Sequence, residues 1–344
     1  MERRDGTEGT GTGSPTWRRL ASGELPWELL RGRAALLEET RAFFRSRGFL
    51  EVDTPLALPY PNIDPNIHPV SIADAAGTSR TFYLHTSPEL SMKKLVAAGS
   101  GDVFFLGKVF RDRECSPLHS PEFTMLEWYR VGGKAADVMR DVEELAGELA
   151  TRLHGRPAIR REGETIPLSR PWGRWELTDA FRELLGCGPG DAATLRHALA
   201  ARGHRPGESE GWEDLFFRAY VDVVEPALRL RGACFLAGFP SALAAMAKRR
   251  PDDPATCERF EGYVDGIELV NGYEELTDPA EQEARLLELA AAHRGKGGGE
   301  LPVDPDFLDA LRAGLPPCAG AALGFDRLAM LLLGRGDIAD VSYR

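Results

Sequence analysis

The run Glu122 to Arg130 (EFTMLEWYR) holds a carboxylate and a phenol two residues apart. If it is a strand, side chains alternate. Phe123, Met125, Glu127 and Tyr129 then share one face, and Thr124, Leu126 and Trp128 the other. The second face is apolar and reads as core. The first reads either as the wall of a polar pocket or as a half-exposed strand face with an incidental glutamate. A second run, Arg259 to Leu276, carries Asp265-Gly266 between alternating segments, a strong two-residue turn signal. Such a turn pairs Val264 with Ile267. It sets Tyr263 opposite Glu268 and Glu261 opposite Val270, and leaves Glu261 and Glu268 diagonal on one face. Carboxylates that close repel unless a proton or a cation joins them. Mg²⁺ takes a few carboxylates together with phosphate oxygens, so an Mg-nucleotide fits there. Two separately solvated surface glutamates are the plain alternative. Asn271, Tyr273 and Glu275 fall on the opposite parity. Bringing them to the same site requires a bulge, expected at Gly272. Arg111 ends a strand-like run, and Arg327 opens the last helix after Gly320-Ala321-Ala322-Leu323-Gly324. Arginine can grip a carboxylate or phosphate with two parallel hydrogen bonds, and small neighbours let a nucleotide approach the backbone. By itself the small-residue run suits a tight strand-to-helix turn equally well.

Periodicity suggests the elements that must hold these side chains. Leu30, Ala34, Leu37 and Phe44 recur at helical spacing, with Gly48 as the stop. Phe49 to Val52 and Thr81 to Thr86 read as strands. The second leads into a helix with Ser87 as N-cap, Pro88 as first helical residue and Glu89 next, running to about Gly99. Strands Val103–Arg111 and Glu122–Arg130 flank a polar loop at 112–120. A helix is expected over Ala135–Leu153 with Val138, Val142, Leu145 and Leu149 inward. Residues 160–230 read as a helical stretch, and Ala233–Phe239 as a buried strand. Asp278 caps a helix that starts at Pro279 and reaches about His293. GKGGGE at 295–300 reads as a flexible loop, and a closing strand runs into the helix Asp326–Leu333. Strands pairing as hairpins with helices grouped outside predict the α+β class: an antiparallel sheet flanked by helices, not a doubly wound parallel one.

The whole chain narrows the function further. Its 344 residues can bury a large core, and its 43% apolar and 28% charged content is ordinary for a globular protein. A net charge of -11 argues against a surface that grips long nucleic acid. Five scattered cysteines without a C-x-x-C pair fit a reducing compartment, hence a cytoplasmic protein, better than a disulfide framework or a zinc site. The most apolar stretch, Ala233 to Ala247, is interrupted by Gly238 and Pro240 and is too short to span a membrane. Residues 1–25 read as a disordered tail without a signal core.

Together these segments resemble the class II aminoacyl-tRNA synthetases, in their lysyl branch. The helix and strand ending at Pro55 look like the first class motif, Phe110-Arg111 through Tyr129 like the second, and Gly320 to Arg327 like the third. The lysyl signatures are similar at Thr86-Ser87-Pro88-Glu89, at HSPEFTMLEWYR (His119–Arg130) and at GIELVNGYEELTD (Gly266–Asp278). The likeness covers 26–344. With only residues 1–25 before it, the expectation is a catalytic domain without an anticodon-binding domain. In this the chain is similar to the elongation factor P–(R)-β-lysine ligase family, whose LEWYR and Gly-x-Ala-x-Gly forms it shares. The resemblance implies that ATP and Mg²⁺ are used to adenylate (R)-β-lysine or lysine, that elongation factor P and not tRNA is the acceptor, and that the protein is a homodimer formed through the first motif. It implies that Arg111 holds the substrate carboxylate and α-phosphate, and that His119 and Arg327 hold the outer phosphates. Phe123 stacks on adenine, with Asp112, Arg113, Ser120, Leu269 and Gly324 completing the ATP site. Glu261 and Glu268 bind Mg²⁺. Glu89 takes the amino group nearer the carboxylate, Glu127, Tyr129 and Glu275 hold the distal ammonium, and Asn271 assists at the carboxylate end, with Ser87, Pro88 and Tyr273 completing the substrate site. Two departures stand out. Arg111-Asp112-Arg113-Glu114 has its glutamate one place later than the family's Arg-x-Glu, and Ser120 replaces an asparagine. Ala322 either reshapes a corner of the pocket or merely tolerates the turn. An adenylating enzyme with another acceptor and an inactive regulatory paralogue are the rival expectations.

Overall fold

The computed structural model describes residues 14–73, 81–244, 246–297 and 299–343. Eight strands form the main sheet: β1 (Leu50–Glu51), β2 (Val103–Phe110), β3 (Glu122–Val131), β4 (Gly173–Glu176), β5 (Ala233–Ala237), β6 (Arg259–Val264), β7 (Ile267–Glu274) and β8 (Cys318–Gly324). Their spatial order is β1-β2-β3-β8-β7-β6-β5-β4. The six central strands, β2 to β5 in that order, pair antiparallel, as expected. Both outer pairs, β1 with β2 and β5 with β4, are parallel, so the sheet is mixed. The expectation of a purely antiparallel sheet missed these edges because β1 and β4 are too short to carry a pairing signal.

One face of the sheet is the main core. Leu126 and Trp128 of β3 point into it, Trp128 wholly buried against Phe44 of the helix Trp27–Ser46, with ring centroids 5.3 Å apart. Phe44 also stacks on Phe104 of β2 at 5.1 Å. The helix Ala135–His154 closes this layer with Val138, Val142, Leu145 and Leu149, the four residues its spacing selects. The Trp128 indole donates to Asp141 of that helix at 3.0 Å, so its one polar atom is satisfied. The other face of β3 carries Met125, Glu127 and Tyr129, all buried, which rules out the half-exposed reading of that face.

The hairpin β6–β7 turns at Asp265-Gly266, both left-handed (φ 54° and 73°), as the sequence predicts. Tyr263 pairs with Glu268 as expected, but Glu261 pairs with Asn271, not with Val270. The register shifts between Gly262 and Tyr263, leaving Leu269 as the extra residue. The bulge is therefore real but sits three residues before Gly272. It reverses parity, so Glu261, Glu268, Asn271, Tyr273 and Glu275 come to one face. Gly272 has another reason to be glycine: a Cβ there would stand 2.7 Å from Ala321 Cβ and 2.8 Å from the Gly320 carbonyl, across the β7–β8 pair.

Several expectations shift. The tail 1–25 is shortened: Thr16–Ala21 form a helix whose Arg19 reaches Asp340 at 2.6 Å, while residues 1–13 lie outside the described residues. The stretch 160–230 is not helical throughout. Strands Ala158–Arg161 and Glu164–Pro167 form a hairpin, and β4 follows before helices begin at Leu177. A helix over Pro305–Gly314, capped by Asp304, was not foreseen. The helix after the second predicted strand spans Glu89–Ala97 with Pro88, not Ser87, at its cap, although Ser87 Oγ still accepts from the Glu89 N–H at 3.0 Å. The Asp278-capped helix runs Pro279–Gly295. All five cysteines are free.

Candidate active site

β3, β8 and β7 lie side by side and present one polar face, over which two cavities open. The first is lined by Ser87, Glu89, Glu127, Tyr129, Asn271, Tyr273 and Glu275, together with Asn62, Asp64, Thr86, Arg111, Met246 and Arg259. Register explains the room for a ligand: Glu127 pairs with Ala322 and Tyr129 with Gly320, so small residues lie beside the acidic wall. At Gly320 a Cβ would come 2.5 Å from the Tyr129 ring. Ser87 Oγ donates to Glu127 at 2.6 Å and the Tyr129 hydroxyl donates to its other oxygen at 2.8 Å. The Tyr273 hydroxyl donates to Glu89. Burial and the neighbouring Glu89 push the Glu127 carboxyl up to about 7. Burial pushes Glu275 up to about 8, against the pull of Lys93. Three carboxylates around one cavity make a receptor for ammonium groups. Two buried amides in its lining, both polar atoms of Asn62 and Oδ1 of Asn271, have no protein partner, as expected of groups kept for a polar ligand.

The second cavity is lined by Arg111, His119, Ser120, Phe123, Glu268, Leu269, Gly324 and Arg327, with Glu114 and Ile338. Arg111 and Asn271 line both cavities, so the guanidinium stands where they meet. Arg111 Nε donates to the Thr86 carbonyl at 3.3 Å, and its guanidinium lies 5.2 Å from the Phe123 ring centroid. Arg327 donates to the Glu268 carbonyl at 2.8 Å, the Leu118 carbonyl at 3.1 Å and His119 Nε2 at 2.7 Å. Burial and the Arg327 charge lower the His119 pKa, so the ring accepts this bond as a neutral imidazole.

Most residues named from the sequence therefore come together, but four do not line a cavity. Pro88 is buried at the helix cap and orients Glu89. Asp112 and Arg113 face outward, paired with each other at 3.7 Å, with side chains 56% and 69% exposed. Their place is taken by Glu114. Arg113 adopts a left-handed φ of 64°, and the displaced glutamate swings back into the lining, 3.7 Å from Arg111. The shifted glutamate was visible in the sequence, but the backbone kink that corrects it was not. Glu261 lies outside both linings, held by Arg259 at 2.8 Å, Tyr220 at 2.5 Å and Tyr263 at 2.6 Å. Burial and then the Glu261 charge raise the Glu268 pKa, and burial followed by the charges of Glu261 and Glu268 raises Glu225 to about 7. Among the described residues no three such side chains form a metal cage. Glu268, which lines the nucleotide cavity, fits a cation whose other ligands are phosphate oxygens, whereas both Glu261 oxygens are already bonded to Arg259, Tyr220 and Tyr263. Asn62, Ile63, Asp64 and Ile67, with Ala244 and Met246, line the first cavity without any periodic signal that could have marked them.

The raised carboxyls set a pH dependence. Glu127 and Glu275 gain protons as pH falls through about 8 to 7, and a protonated carboxyl no longer attracts an ammonium. The KM for the amino acid is expected to rise as pH is lowered from about 9 to about 6.5. Initial rates at each pH with one substrate varied would check this.

A family model described as tRNA synthetases class II (D, K and N) matches residues 22–343. The chain is 39% identical over 319 residues to the elongation factor P–(R)-β-lysine ligase homolog of Aquifex aeolicus, covering 92% of this chain and 99% of that protein. It is 37% identical over 334 residues to the elongation factor P–(R)-β-lysine ligase of Salmonella paratyphi B, covering 95% and 96% of the two. It is 37% identical over 320 residues to the Vibrio cholerae protein of the same name, covering 91% and 94%.

Proposed function

This chain belongs to the class II tRNA synthetases (D, K and N), within the family of the elongation factor P–(R)-β-lysine ligases, and we propose that it adenylates (R)-β-lysine or lysine with ATP and transfers it to a lysine side chain of elongation factor P. One observation carries the reading of the site: a cavity walled by Glu89, Glu127 and Glu275 meets a second cavity at Arg111. An amino acid whose ammonium groups face the carboxylates puts its own carboxylate at that junction. The α-phosphate of ATP then needs to reach the same guanidinium, with adenine on Phe123 and the outer phosphates at Arg327 and His119.

The substrate carboxylate attacks the α-phosphorus and pyrophosphate leaves. No general base is required, because a carboxylate is already nucleophilic. Arg111 bridges nucleophile and phosphate, which lowers their repulsion and stabilises charge developing on the phosphoryl oxygens. Glu268, with Glu261 beneath it, would hold Mg²⁺, which supplies further charge neutralisation on the phosphates. The elongation factor's lysine amine then attacks the mixed anhydride and AMP leaves. Selection follows from the buried acceptors: an amino acid without a distal ammonium leaves them unpaired, costing several kcal/mol. We further propose a homodimer formed through the helix Trp27–Ser46 and β1, acting in the cytoplasm without tRNA. No described helix is long and apolar enough to cross a membrane.

The test has two stages. ATP–pyrophosphate exchange should be supported by β-lysine or lysine and not by norleucine. Incubation with ATP, labelled β-lysine and elongation factor P should then add one lysyl mass to the factor. Exchange without transfer would point to another acceptor, and no exchange with either isomer would sink the enzyme reading.

A further inference from the structure

Lys93 is a cation inside the amino-acid site that adenylation as described does not use. It is 2% exposed. Its Nζ lies 2.7 Å from Glu89 Oε1, 2.5 Å from Glu275 Oε2 and 3.3 Å from Met246 Sδ. The same ammonium is 5.3 Å from the Tyr273 ring centroid and 5.9 Å from that of Tyr129. A lysine buried this deeply is costly unless paired. Its partners here are two of the three carboxylates that an incoming ammonium needs.

Charge counting gives this arrangement a meaning. Above about pH 8, where the raised carboxyls are ionised, Glu89, Glu127 and Glu275 bring three negative charges to this wall and Lys93 removes one, leaving two. Lysine and β-lysine each carry two ammonium groups, while their carboxylate belongs at Arg111. The other groups packed against Lys93 do not disturb the count: Tyr129, Tyr273 and the Cys318 thiol all have raised pKa values and stay neutral. Of the remaining charged groups in the lining, Arg259 is paired with Glu261, and Asp64 keeps its charge, accepting from the Asn66 amide at 2.7 Å on a segment apart from the Glu89–Glu127–Glu275 wall.

We propose that Lys93 is the built-in counter-ion of the acidic wall of the amino-acid cavity, a positioning residue that fixes Glu89 and Glu275 and leaves two negative charges on the Glu89–Glu127–Glu275 wall, so that this wall takes a diamino acid and excludes amino acids with a single ammonium. The proposal rests on the lysine-ligase reading of the site. Without Lys93, three carboxylates face two ammonium groups. The excess charge is relieved by proton uptake on Glu275 or Glu127, since Lys93 lowers the pKa of both.

The experiment compares wild type, Lys93→Met and the double variant Lys93→Met/Glu275→Gln. The double variant restores the count of two and removes both ends of the ion pair, so it guards against a single variant that fails to fold. Exchange kinetics and calorimetric binding of lysine, norleucine and 1,5-diaminopentane are measured for each. In Lys93→Met the KM for the diamino acid is expected to rise about 10-fold or more, with kcat less affected. The acid limb of its KM–pH profile should move to higher pH. The double variant should recover most of the loss and return the limb toward its original position. An unchanged KM and pH limb in Lys93→Met would overturn the proposal. So would a double variant no better than the single one, or a wild type that fails to bind the diamine. Diamine binding without exchange would overturn the ligase reading while upholding this one.

Discussion

Replacing Arg111 with alanine is expected to lower kcat/KM for adenylate formation by about 10³-fold or more, which corresponds to roughly 4 kcal/mol of lost transition-state stabilisation. Among the described residues Arg111 is the one cation that lines both cavities. It is also pre-positioned: Nε is tied to the Thr86 carbonyl at 3.3 Å and the guanidinium is set over Phe123. Two anions must meet in the reaction, and the group between them is the one whose removal costs most. The loss should fall mainly on kcat, because charge on the phosphoryl oxygens grows in the transition state. Lysine at this position keeps a point charge but cannot bond two partners in parallel, so Arg111→Lys should recover only part of the rate. Pyrophosphate exchange at saturating substrates measures this directly. A variant within about threefold of wild type would remove Arg111 from the chemistry.

Glu127→Gln should raise the KM for the amino acid by about 10²-fold while leaving the KM for ATP nearly unchanged. The substitution is close to isosteric. Ser87 and Tyr129, which now donate to the two carboxylate oxygens at 2.6 Å and 2.8 Å, both carry hydroxyls that can accept from an amide instead. The fold should therefore survive, and what is lost is a buried negative charge facing an ammonium. The same loss should blunt the pH dependence of KM, because one of the two carboxyls that titrate between about 7 and 8 is gone. Titrations of rate against amino acid and against ATP separate the two effects. A rise in the KM for ATP of equal size would indicate a general distortion.

Much of this was legible in the sequence because it depended on neighbours along the chain. The period of two in EFTMLEWYR placed Glu127 and Tyr129 together and Trp128 opposite them. Asp265-Gly266 fixed a turn that only two left-handed residues can make. The spacing Val138, Val142, Leu145, Leu149 fixed the buried stripe of a helix. The ordered motifs pointed to the family. The need for a bulge in β7 was also readable, because Asn271, Tyr273 and Glu275 had to change parity to join Glu261.

What the chain order could not decide were relations made through space. The extra residue could be Leu269 or Gly272 on local grounds. Packing chose, because Gly272 is pressed between Phe260, Ala321 and the Gly320 carbonyl and must stay in regular register. Whether the face of Glu127 met water or a cavity depended on elements far away: segment 62–67, Met246 and β8 cover it. Arg113 and Glu114 exchanged places through one left-handed backbone angle that no residue type announced. Nothing along the chain marks Lys93, and only the fold shows its ammonium buried between Glu89 on its own helix and Glu275, 182 residues away. The sequence by itself determined the types of groups and their local faces, because those follow from bond geometry and near-neighbour contacts. The tertiary structure alone decided which charges share one cavity, because electrostatic coupling depends on distance and burial.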